Sequence, residues 1–63
     1  MEVTDTQVHE TVAFLELAEH EGGLGSAEAI FAGLPERYRE HEEIAHVMEE
    51  IRIEYLYEYR GEV

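Results

Sequence analysis

The sequence predicts a mainly α, compact three-helix domain that ends in a C-terminal β-strand. Apolar residues recur at helical spacing as far as Glu50, glycines and one proline punctuate that pattern, and from Ile51 the period falls from about 3.6 to 2. At 63 residues the chain has room for one domain, residues 1–63. A domain that small buries only roughly 60% of the surface its unfolded chain exposes.

The first helix is expected over about 5–21. Thr4 or Asp5 is its N-cap, Gln7 and Glu10 follow, and Val8, Val12 and Leu15 are spaced four and three apart. Phe14 and Ala18 widen that stripe. Leu17 falls roughly opposite it, which implies that this helix meets more than one neighbour. Gly22 and Gly23 stop the helix. Ser26 then reads as the N-cap of a short helix over about 27–33, closed by Gly33. Leu34-Pro35 restarts the chain, and a turn or loose helical start covers 35–40.

Ile44, Val47, Met48 and Ile51 mark a third helix over about 41–50. Beyond it, Ile51, Ile53, Tyr55, Tyr57 and Tyr59 alternate with Arg52, Glu54, Leu56, Glu58 and Arg60, which predicts a strand over about 51–59. The competing reading is one long helix over 36–60, since no Gly or Pro separates the two patterns. A strand needs neighbours, and the only other extended candidate is Met1 to Thr4. An edge therefore stays open, and the expectation is a homodimer paired through the tail.

Four Arg and no Lys stand against sixteen acidic residues, for a net charge of −12. Such a surface repels nucleic acid and anionic membranes, so a basic protein surface is the partner it fits. The chain has no cysteine, which excludes disulfides and thiolate metal sites. An apolar content of 44% argues for folding despite the charge. No apolar run approaches ~18 residues and no basic n-region opens the chain, so the expected compartment is the cytoplasm. The absence of Lys beside fifteen Glu fits a GC-rich coding bias, a salt-rich cytoplasm or an acidic binding face, and the single Asp weakens the salt reading, which calls for Asp as well as Glu.

The run VAFLELAEHEGGLGSAEAIFAGLP, followed by EHEEIAHVMEEI and the expected strand, resembles a winged helix-turn-helix domain. The resemblance covers most of the chain and implies that the third helix reads the DNA major groove. The matching segment, His41 to Glu50, offers Glu42, Glu43, Glu49 and Glu50 and neither Arg nor Lys. DNA affinity comes largely from neutralising phosphates, so the departure points away from DNA and toward a protein-binding use of the scaffold.

Glu43-x-x-His46 has the spacing of ligands in di-iron carboxylate bundles, and Glu16, Glu19 and His20 could add to it. In a chain this rich in Glu the motif also arises by chance, and no cofactor is expected. Nucleophilic catalysis lacks Cys and Lys, and Ser26 is accounted for as a cap, so no enzymatic activity is expected. Tyr55, Tyr57 and Tyr59, with Ile53, form one apolar-aromatic face on a strand, and Tyr is enriched at interfaces. The sequence thus reads as a non-catalytic regulatory protein that binds through Ile53, Tyr55, Tyr57 and Tyr59 and through Glu42, Glu43, Glu49 and Glu50. It is expected to dock on a basic surface, in the manner of small phage inhibitors that imitate nucleic acid. The alternatives are a winged-helix transcription regulator from a salt-rich cytoplasm and a metal-binding bundle using Glu43 and His46.

Overall fold

A computed structural model describes residues 2–61, with side chains through Tyr57. Three helices follow in order, α1 (Asp5–Ala32), α2 (Glu36–Arg39) and α3 (Glu42–Gly61). Thr4 begins α1 through a capping box. Its hydroxyl accepts from the Gln7 amide at 3.2 Å, and its own amide donates to Gln7 Oε1 at 2.9 Å. Helix dihedrals then persist through 28 residues except at Gly23, where φ is 79° and ψ is −169°. The two helices expected over 5–21 and 27–33 are therefore halves of one kinked α1. Only the Gly23 peptide leaves the helical conformation, and the chain resumes it at once.

Two local features make this kink specific to glycine. The Gly23 dihedrals lie in a region that residues with a Cβ essentially never enter. A Cβ there would also meet the Tyr55 hydroxyl of α3 at 2.5 Å. Ser26 lies within the second half of α1 rather than capping it, and its hydroxyl rests beside the Cα of Gly22.

Gly33 closes α1 by donating its amide to the carbonyls of Ala29 and Ile30, and Pro35 opens the single turn of α2. His41 precedes α3, and its Nδ1 accepts from the Glu43 amide at 3.2 Å, taking up one amide that the first turn leaves without a helical partner. Glu42 and Glu43 in that turn also lie where the helix dipole favours negative charge.

The strand expected over 51–59 is not formed: α3 continues through it to Gly61, and no strand occurs among the described residues. Helix spacing explains the outcome. Ile44, Met48 and Ile51 are buried, and Tyr55 extends their 4-3-4 spacing as a half-buried residue. The alternation that reads as a strand thus also contains two more steps of the buried helical stripe. With the strand goes the basis for a homodimer paired edge to edge.

The core lies between the halves of α1 and α3. Val8 and Leu15 of the first half, Ala27 of the second, and Ile44, Met48 and Ile51 of α3 form one buried cluster. Leu24, Phe31, Leu34, Tyr38 and Val47 pack around it. Thr11 is the one buried polar residue among those described, and its hydroxyl donates to the Gln7 carbonyl at 2.7 Å. No helix among the described residues is long and apolar enough to cross a membrane.

Candidate functional site

The kink at Gly23 sets the two halves of α1 around a concave apolar surface that includes none of the expected docking residues. On the first half of α1, Val8 and Leu15 point into the core, and Phe14 and Leu17 lie around the helix from them. They remain 59% and 54% exposed, although both are large apolar side chains. The second half of α1 brings Ser26, Ala29 and Ile30 to face Phe14, Leu17 and Ala18 across a groove that ends at Glu21 and Gly22. Phe14 and Ile30 also line its continuation toward Glu10, Thr11 and Leu34. Glu10, Phe14, Leu17 and Glu21 are spaced 4-3-4, so they form one stripe along the helix with an acid at each end.

An ion pair links the second half of α1 to α3. Arg52 of α3 grips Glu28 with two parallel hydrogen bonds of 2.7 Å, from Nε and Nη2 to the two carboxylate oxygens. Its guanidinium also lies 5.6 Å from the centre of the Phe31 ring, within cation–π range. The hydrogen bond from Arg52 holds the Glu28 carboxyl below its ordinary value, and the same bond raises Arg52. A bidentate pair fixes orientation as well as distance.

The residues expected to bind a partner are dispersed. A helix turns successive odd positions by about 200°, so Tyr55 and Tyr57 cannot share a face as they would on a strand. Tyr55 is half-buried beside Gly23, whereas Tyr57 is 76% exposed on the outer side. The Tyr59 side chain lies outside the described residues. Ile53 is exposed, and it joins Glu49, Glu50, His46 and Glu54 around a shallow depression. Glu42 and Glu43 are exposed in the first turn of α3.

His46 Nε2 lies 3.0 Å from Glu50 Oε1, and both side chains are well exposed. Glu43 and His46 are not joined by a third ligand. Among the described residues no group of three or more His, Asp or Glu side chains is placed to hold a metal ion.

Phe14, expected to widen the buried stripe, is exposed instead, and the groove lies outside the tail interface that the sequence predicts, although one signal is present. Leu17 falls off the buried stripe of its helix, and that displacement is what leaves it uncovered beside Phe14. The opposing wall depends on the direction the chain takes after Gly23, which helical periodicity does not encode.

No protein family, characterised protein or solved structure matches this chain.

Proposed function

We propose that this chain is a small, acidic, non-catalytic protein-binding module of the cytoplasm whose partner presents a basic protein surface. One observation carries the reading. A chain of net charge −12 leaves two large apolar side chains, Phe14 and Leu17, uncovered in a groove. Exposed apolar surface rimmed by polar residues marks interaction sites, and the surrounding charge selects cationic partners and speeds their approach. The partner's basic surface can be one that otherwise holds nucleic acid, in which case the module competes for it.

The exposed Glu42, Glu43, Glu49 and Glu50 support a protein partner over DNA, because the face of α3 they occupy would be repelled by phosphate. The test passes native extract over the immobilised chain at about 150 mM salt and identifies what is retained, beside a duplex-DNA anisotropy titration at the same salt. The expected result is a discrete set of proteins with basic surfaces, released as salt is raised, and no measurable duplex binding. Submicromolar duplex affinity, or retention unrelated to charge, would overturn the reading.

A further inference from the structure

The chemistry of the α1 groove specifies its occupant more narrowly than a basic surface in general. Its walls are helices, its middle is apolar at Phe14, Leu17 and Ile30, and its charged lining residues are Glu10 and Glu21. These two acids are eleven residues apart in one helical half, so about 16 Å separates them along the axis at 1.5 Å per residue. A groove of this kind accepts an amphipathic helix, which inserts apolar side chains at i, i+3 or i+4, and i+7.

We propose that the groove binds an amphipathic helix of a partner protein, with Leu-type residues seated against Phe14 and Leu17 and a Lys or Arg about three turns apart at either end to meet Glu10 and Glu21. The proposal rests on the protein-binding reading above and deepens it. Charge selects a partner helix over a second copy of this chain. Two copies would each bring a net charge of −12 to the contact, and each would place its own Glu10 and Glu21 there. A basic helix turns that unfavourable field into attraction. The spacing of the acids also sets a register, because a helix with its cations one turn apart satisfies only one end.

The probe is a synthetic helical peptide of about fifteen residues with Leu at the i, i+4 and i+7 positions and Lys eleven residues apart. Two controls accompany it: the same apolar pattern flanked by Glu, and a scramble of identical composition. Anisotropy should show the Lys-flanked peptide binding at least tenfold tighter than either control, with amide shifts concentrated on residues 10–34. Phe14→Ser/Leu17→Ser should weaken it at least tenfold, with its own far-UV circular dichroism unchanged, since both side chains are exposed. Glu10→Gln/Glu21→Gln should remove the preference for Lys over Glu flanks.

Equal binding of the scramble, unaffected by Phe14→Ser/Leu17→Ser, would overturn the groove assignment while leaving general docking on basic surfaces intact. Failure of all three peptides to bind would also overturn it, and the extract experiment decides the broader reading independently. A wild-type dimer in sedimentation that Phe14→Ser/Leu17→Ser converts to monomer would overturn it in favour of a second copy.

Discussion

Replacing Gly23 by Ala tests the feature on which both the core and the groove depend. At φ 79° and ψ −169° the position lies in a region essentially restricted to glycine, and holding a residue with a Cβ there costs about 1–3 kcal/mol. The new methyl would also meet the Tyr55 hydroxyl at 2.5 Å, so the ring or the kink must move, which raises the total to roughly 2–4 kcal/mol. A 63-residue domain has an overall stability of about 3–9 kcal/mol, so much of it is at stake. Urea denaturation followed at 222 nm should show that loss, with a fall of roughly 10–25 °C in Tm. A chemically synthesised chain with D-Ala at position 23 provides the control, because its mirrored preferences accept a positive φ and its methyl points elsewhere. It should equal or exceed the wild type, by up to about 1 kcal/mol through the unfolded state. A Gly23→Ala chain melting within about 3 °C of wild type would refute the reasoning, since it would mean that α1 does not need this kink.

Three further outcomes follow from the packing and the charge. Arg52→Gln should cost only about 0.5–1 kcal/mol, because both ends of its pair with Glu28 are roughly two-fifths exposed and screened by solvent. Glu28 is held below its ordinary value in the folded chain, so its contribution is present above the unfolded value near 4.5 and is lost as pH falls through the folded one. Arg52→Gln should therefore flatten the loss of stability in acid, and unchanged acid melts would sink the assignment. Met48→Ala empties a fully buried site and should cost about 2–5 kcal/mol, whereas Tyr57→Ser on the exposed side of α3 should stay within about 0.5 kcal/mol. Equal losses in the two variants would contradict the burial pattern of α3. Self-repulsion at net charge −12 should make Tm rise between 50 mM and 1 M NaCl, and a flat series would remove the repulsion argument.

Helical periodicity and end signals together made much of the fold legible. Val8 and Leu15 on one side and Ile44, Met48 and Ile51 on the other are core residues as their spacing implied. Thr4 with Gln7 closes the first helix start through contacts between near neighbours, which is why it can be read from four residues. Gly23 likewise marks the break in α1, because its lack of a side chain is itself the signal. The His41 contact to the Glu43 amide is not legible in the sequence: His is not among the common capping residues, and its role appears only in the geometry.

By itself, then, the sequence determined the sign and density of the surface charge, the interruption at Gly23, the end of α1 at Gly33, and the core positions Val8, Leu15, Ile44, Met48 and Ile51. Those are properties of composition and of short-range spacing. The state of residues 51–59 and the existence of the groove were decided only by tertiary structure. Ile51, Ile53, Tyr55 and Tyr57 suit either a strand or a helix, and a strand leaves its amides and carbonyls open unless another strand lies alongside. No such neighbour exists among the described residues, whereas a helix satisfies its own backbone and carries Ile51 and Tyr55 onto the face already occupied by Ile44 and Met48. The groove depends in the same way on where one glycine redirects the chain, and on the packing of Leu24, Ala27 and Phe31 that seats the second half of α1 against the core.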